Sequence, residues 1–382
     1  MLRTTIARSI PLHSRPLATP LLVAASHHRT FMWSGFNAKP ALTSKATNEK
    51  ASVGVEGPHK KDSPASQVSE ALTKEGNVTA AAPAVVNGDW VLFHPVYTPQ
   101  ELQAVEVMHR DAKTFSDKVA VTFVKALRYW FDIISNYKHK TIPPNSNMSL
   151  QELRKGGYVM DEGQWLKRVL FLESVAGVPG MVGATLRHLR SLRLMRRDAG
   201  WIHTLLEEAE NERMHLMTFM TLRKPSIFFR GMVLGAQGIF YNLFFISYIL
   251  SPRTCHRFVG HLEEEAVLTY TRCIEEYEKG RLPAWENLDA PEIAKDYWRL
   301  KPDAKMIDVL YAVRSDETTH RFVNHSLANL DPKTDVNPFA LREPDMVIKG
   351  GKLEFERDEA EKYVQESQRL VSEGRDKAAP QA

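Results

Sequence analysis

Two Glu-x-x-His pairs carry the most chemistry in this sequence: Glu212 with His215 in "NERMH", and Glu317 with His320 in "DETTH". Both lie in segments whose apolar spacing reads as helix. Residues three apart share a helix face, so each pair aims one carboxylate and one imidazole in the same direction. That combination suits an iron or manganese ion. Two such pairs, with one Glu from each of two further helices, make the di-metal carboxylate site of a four-helix bundle. Candidates for the further carboxylates are Glu173 in "LFLESVAG" and the "LEEEA" run that starts at Glu263.

A lone Glu-x-x-His is more often a solvated surface pair, because charges prefer exposed faces. Here the order along the chain is Glu173, Glu212 with His215, Glu263, then Glu317 with His320. Glu173 also sits inside "VLFLESVAGVPGMVG", where an unpaired charge is expensive to bury. A bound cation removes that cost.

Positioning these residues needs helices, and the periodicity predicts them over 117–134, 166–197, 199–223, 226–250, 254–280 and 304–329. Pro179 predicts a kink near residues 175–179 of the second. No strand alternation appears, so the expected class is all-α. Gly177, Gly180 and Gly183 follow no strand, which excludes a dinucleotide fingerprint. They read as small residues that admit a neighbouring helix, as do Gly231 and Gly235. Beyond residue 340 the chain is charged, with helix expected near 354–374 and no visible core pattern.

The 382 residues can bury a large core, and a net charge of +4 without clustered basic and aromatic residues gives no case for nucleic acid. Cys255 and Cys273 are the only cysteines, which excludes a disulfide framework and reads as two buried thiols. Residues 1–48 carry Arg3, Arg8, Arg15 and Arg29 and no acidic residue. That is transit-peptide composition, read as mitochondrial, with a plastid presequence as the alternative. Residues 49–86 are too polar to offset ordering entropy and are expected to be a disordered linker. The ordered domain is expected over 87–340 and a charged tail over 341–382.

Residues Gly231 to Ser251 are free of charge and long enough to cross a bilayer. A single crossing, however, would put the helices on either side of it on opposite faces of the membrane, whereas both must reach one metal site. A helix lying in the membrane plane, or buried in the core or a dimer, is therefore expected. The aromatic and basic helix 117–134 and the run Arg187, Arg190, Arg193, Arg196 and Arg197 suit an anionic interface.

"LESVAGVPGMV", "NERMHL", "LEEEAVLTY" and "DETTHRFVNH", with "FHPVYT" before and "NPF" after, resemble the alternative oxidase family of cyanide-insensitive ubiquinol oxidases. The resemblance covers about residues 86–340. It implies a ferritin-like four-helix bundle with a di-iron carboxylate site and two membrane-associated helices. It further implies a homodimer on the matrix face of the mitochondrial inner membrane, monotopic, with ubiquinol, O2 and inner-membrane lipid as partners. Glu173, Glu212, Glu263 and Glu317 match the family's carboxylate ligands to two iron ions, and His215 and His320 match its histidines. The choice of Glu263 within "LEEEA" comes from that match. Helix geometry agrees, because 263, 266 and 270 share a face from which Glu264 and Glu265 turn away. Tyr270 resembles the tyrosine beside the irons, and Arg168, Leu172, Ala266 and Thr269 resemble the quinol pocket. No cysteine precedes Cys255, so the cysteine-based control of plant members is expected to be absent, as in the fungal or protist type.

The implied reaction is oxidation of ubiquinol by O2 to water, without proton pumping. A plastid-type quinol oxidase would share the site and differ in targeting and quinone. A di-iron hydroxylase acting on a quinone precursor would share the ligand order and differ in its products. An iron-binding or structural helical membrane protein would be stable without metal and oxidise no quinol.

Overall fold

The computed structural model describes residues 94–135, 137, 140–143 and 146–378. The expected presequence and linker lie outside these residues. In chain order the helices are α1 (Pro99–Gln103), α2 (Phe115–Ile134), α3 (Leu150–Lys155), α4 (Glu162–Ala176), α5 (Val178–Leu194) and α6 (Trp201–Leu222). They continue with α7 (Ile227–Leu250), α8 (Pro252–Glu278), α9 (Glu292–Trp298), α10 (Met306–Leu327), α11 (Met346–Gly351) and α12 (Arg357–Ala378). The only β pairing among the described residues is one isolated bridge, Asp289 with Lys305. The all-α expectation holds.

Side-chain caps set where the site helices begin. Thr114 and Asp117 form a reciprocal capping box at α2, and Asp161 and Gln164 do the same at α4, four residues earlier than periodicity alone suggests. The expected kink is a full break: α4 ends at Gly177, and Pro179 sits in the first turn of α5, where its missing N–H costs nothing. Gly180 is needed there, since a Cβ would lie 2.6 Å from the Leu205 carbonyl oxygen of α6. Gly231 and Gly235 behave differently from the sequence reading, because nothing lies within 4 Å of a Cβ at either. No described helix of this chain uses them for close packing.

α8 packs along α10, α4 along α6, and α6 also meets α10, so these four form the bundle. α2 lies on α8, and α7 packs on α5, α4 and α8. Hence α6 and α8, which flank α7 in sequence, both belong to the bundle. α7 keeps an apolar outer face: Leu234, Ile239, Leu243, Ile246 and Ile249 are all exposed.

Two expectations need correction. Arg187 is not part of a free basic surface, because it is buried, pairs with Asp198 at 2.9 Å and stacks over Trp201. The chain beyond residue 340 does carry core residues. Phe355 and Ala360 are buried with Trp201, Phe322 and Phe339, and aromatic edge contacts join Phe355 to Phe322. These apolar residues are too sparse among charges to show a period.

Candidate metal centre

Each bundle helix turns one carboxylate inward. Glu173 (α4), Glu212 (α6), Glu263 (α8) and Glu317 (α10) are 6, 1, 8 and 2 % exposed, and His215 and His320 are equally buried. Their donor atoms form two groups, each within 4.8 Å: Glu173, Glu212, His215 and Glu317, and then Glu212, Glu263, Glu317 and His320. Glu212 and Glu317 belong to both. The arrangement therefore describes two adjacent cation positions with two shared carboxylates.

The protein alone leaves this cluster unsatisfied. Nδ1 of His215 lies 3.3 Å from Glu173, 3.6 Å from Glu212 and 3.3 Å from Glu317, yet none of these contacts has hydrogen-bond geometry. Nδ1 of His320 is 2.8 Å from Glu212, again without a hydrogen bond. Both oxygens of Glu212 and Oε2 of Glu173 are orphaned as well. Orphaned buried acceptors are costly. Anionic oxygens and imidazole nitrogens converging from four helices fit a metal.

Electrostatics gives the same reading. Burial, reinforced by Glu212 and Glu317 against the pull of His215, raises the Glu173 carboxyl to about 8. Burial and repulsion from Glu317 and Glu212 push Glu263 well above the carboxylate range. Burial opposes ionisation of Glu212 too, but His215 and His320 hold it low. Carboxylates this close cannot all ionise without added positive charge. Protons supply it in the protein alone, and cations would supply it better.

An outer layer orients His215. Its Nε2 meets Oδ2 of Asp316 at 2.9 Å, and the same oxygen accepts from Asn211 Nδ2 and Trp298 Nε1, each at 2.9 Å. Oδ1 of Asp316 accepts from the Tyr97 hydroxyl at 2.5 Å and lies 3.0 Å from His94 Nε2. Burial opposes ionisation of Asp316, yet His94 and His215 keep it well below the usual range. With Nε2 directed to Asp316, Nδ1 of His215 is the nitrogen that faces the carboxylates, the carboxylate–histidine arrangement of metal sites. None of these partners is evident from spacing. Asp316 precedes Glu317 directly and points away from it on the helix, while His94 and Tyr97 belong to "FHPVYT".

Tyr270 is buried on α8, and its hydroxyl donates to Oε1 of Glu173. Burial and the surrounding carboxylates keep it a neutral phenol. Arg168 faces away from the cluster, as its spacing from Glu173 requires. It is buried, pairs with Asp132 at 2.9 Å, and lies over the rings of Phe131 and Tyr137 at 4.6 and 4.3 Å. Leu172 is half-buried one turn along α4. On α8, Ala266 is half-buried and Thr269 is buried with its hydroxyl on the Glu265 carbonyl. Phe131, Phe171 and Phe229 run from α2 through α4 to α7, so the outer faces of α2 and α7 adjoin near Arg168.

Comparison with known proteins agrees with this geometry. The family model described as alternative oxidase matches residues 97–329. A mitochondrial alternative oxidase of Cryptococcus neoformans var. grubii is 51 % identical over 330 residues, 85 % of this chain and 79 % of that protein. The Emericella nidulans protein of the same description is 57 % identical over 261 residues, 68 % of this chain and 72 % of the relative. The one from Aspergillus niger is 54 % identical over 265 residues, 69 % of this chain and 73 % of the relative.

Proposed function

The chain belongs to the alternative oxidase family, whose members are ubiquinol oxidases, and from that premise we propose how its own residues carry the reaction. Two ubiquinols and one O2 give two ubiquinones and two waters. The observation that carries the proposal is the pair of carboxylate–histidine groups that share Glu212 and Glu317. Glu173, Glu212, Glu263 and Glu317 hold two iron ions, with His215 and His320 completing the donor set. When bound, iron supplies the redox chemistry by which O2 is reduced.

The protein's own groups bind, orient and move protons. Asp316 fixes the His215 ring so that Nδ1 faces the carboxylates, where it would give its lone pair to a bound ion in place of a proton. Tyr270 holds its proton on a hydroxyl aimed at Glu173, placed to deliver it where oxygen is reduced. Arg168 is clamped by Asp132 and two aromatic rings, and its remaining donors hold a quinol oxygen. Leu172 and Ala266 supply apolar wall, and Thr269 a hydroxyl. The carboxylates and Tyr270 serve both half-reactions without a path for protons across a membrane, so turnover does not pump.

The protein acts in mitochondria, as the names of its relatives say of them. α7 and α2 hold it in one leaflet. α7 carries no charge after Arg230, and little of it is buried. Phe123, Trp130 and Ile133 extend that face along α2. Because α6 and α8 share one bundle, α7 lies in the membrane plane. The matrix face and the homodimer are carried over from the family. Oxygen uptake by membranes containing the protein tests the activity: a short-chain ubiquinol should drive cyanide-resistant uptake, and no uptake would refute it. Protease added to right-side-out mitoplasts tests the topology: no segment of the mature chain should be cut, and cleavage within 197–230 or 250–262 with the rest of the chain protected would establish a spanning helix instead.

A further inference from the structure

The two cation positions share Glu212 and Glu317, and each has two donors of its own: Glu173 with His215, and Glu263 with His320. The protein supports these private donors unequally. The Tyr270 hydroxyl donates to Oε1 of Glu173 and holds that carboxylate from behind. Nε2 of His215 lies 2.9 Å from Oδ2 of Asp316. Asp316 is itself fixed by Asn211 and Trp298, each at 2.9 Å, and by Tyr97 at 2.5 Å. The Trp298 indole also stacks on the His215 ring, with centroids 5.8 Å apart. Both private donors of this position are set in place by the protein alone.

The other pair has no such support among the described residues. The His320 ring meets only the shared carboxylates, Glu212 at 2.8 Å and Glu317 at 3.8 Å, both through Nδ1. Glu208, the buried carboxyl one turn before Glu212, gives its Oε2 to the Asn324 amide at 2.7 Å and forms no ion pair with His320. No phenol, amide or main-chain N–H reaches Glu263, which faces Glu212 and Glu317. Outer-layer partners that orient a ligand are worth about 10–100-fold in metal affinity. We propose that the two positions are unequal: the Glu173–His215 position binds its iron more tightly than the Glu263–His320 position, with Asp316 the main positioning residue. A chain short of iron keeps the ion beside Tyr270 and loses the one beside Glu263. This rests on the di-iron reading above.

Two adjacent cations repel, so stepwise release from the wild type would follow from repulsion alone. The test therefore compares chains that hold one iron each. Full-length Glu263→Gln and Glu173→Gln proteins in detergent are loaded with ferrous iron without oxygen and titrated with a ferrous chelator, with iron per chain as the readout. Glu263→Gln keeps the supported position and should hold its iron about 10–100-fold more tightly than Glu173→Gln. Adding Asp316→Asn should remove most of that advantage from the Glu263→Gln chain and leave the Glu173→Gln chain nearly unchanged. His320→Ala and His215→Ala make the same comparison where a Gln variant does not fold, with His320→Ala the tighter of the two. Equal affinities in the paired variants, or the reverse order, would overturn the inference. An equal effect of Asp316→Asn in both backgrounds would overturn the role of Asp316. A wild type that takes up fewer than two irons at full loading would refute the di-iron reading itself, and the inference with it.

Discussion

Glu263 and Glu264 are neighbours on one helix and both are buried, at 8 and 4 % exposure, yet the protein treats them in opposite ways. Glu264 is surrounded by donors from His109, Arg110, His261 and His325, and although burial opposes it, these hold its carboxyl low. Arg257, Asp117 and Glu354 extend that cluster with ion pairs of 3.1 and 2.7 Å. Glu263 instead faces Glu212 and Glu317, and burial and repulsion push it up. One cluster meets its carboxylates with guanidinium groups, imidazoles and a main-chain N–H. The other gathers carboxylates against one another, the donor set that the proposed iron site would use. A rotation of one residue on α8 separates the two roles, so burial of a carboxylate is not by itself a sign of function; what surrounds it decides.

The comparison breaks most sharply at a shared ligand. Glu317→Ala should lose both irons and more than about 100-fold of quinol oxidation, beyond the upper end for outer-layer partners; full iron and full turnover in that variant would remove Glu317 from the site. Tyr270→Phe should keep its iron and lose about 100-fold in turnover, the lower end for a positioned proton donor. Wild-type kinetics there would make Tyr270 a packing residue. In the Glu264 cluster, Arg257→Met should leave iron content intact and destabilise the fold by up to about 3–5 kcal/mol, because two buried carboxylates lose one of their two guanidinium partners and keep only Arg110. An unchanged denaturant midpoint would contradict that. Asp316→Asn should weaken iron binding by about 10–100-fold, measured by competition with a chelator, while the fold survives.

The smallest effect is a pH slope. Glu173 carries a folded value of about 8 against an ordinary 4.5, and His215 is also raised despite its burial, through Asp316 and the carboxylates. Above pH 6.5 the unfolded chain releases these protons first, so metal-free stability should fall as pH rises from 6.5 to 8. Glu212 and Asp316, held low, are ionised in both states throughout that window. His256 and His325, lowered to about 4 mainly by burial, are neutral in both states across most of it. Iron should flatten the slope by displacing the cluster's protons. Melting temperatures of metal-free and iron-loaded protein at the two pH values check this, and parallel slopes would show that the cluster's protons do not govern stability.

Much of the site was legible because its donors obey helical spacing. The Glu-x-x-His pairs and the shared face of 263, 266 and 270 follow from 3.6-residue geometry. The all-α class followed from the same periodicity. Asp316 and its partners were not legible, because His94 and Tyr97, Asn211, and Trp298 reach it from three separate segments. The α9 helix that brings Tyr297 and Trp298 is too short to show a period. Arg187 reads as surface charge by composition, and only the fold supplies Asp198 and Trp201 to it. Phe355 is one aromatic residue among charges, and its role depends on Phe322 and Phe339.

Iron analysis of the wild type beside Glu263→Gln and Glu264→Gln, each reconstituted with ferrous iron without oxygen, tests the central claim most directly. Two irons per chain are predicted for the wild type. Glu264→Gln protein that remains folded should keep both, and Glu263→Gln should fall short by at least one. Equal iron in the two variants, or fewer than two in the wild type, would contradict the division of α8 into a face that holds the irons and one that does not.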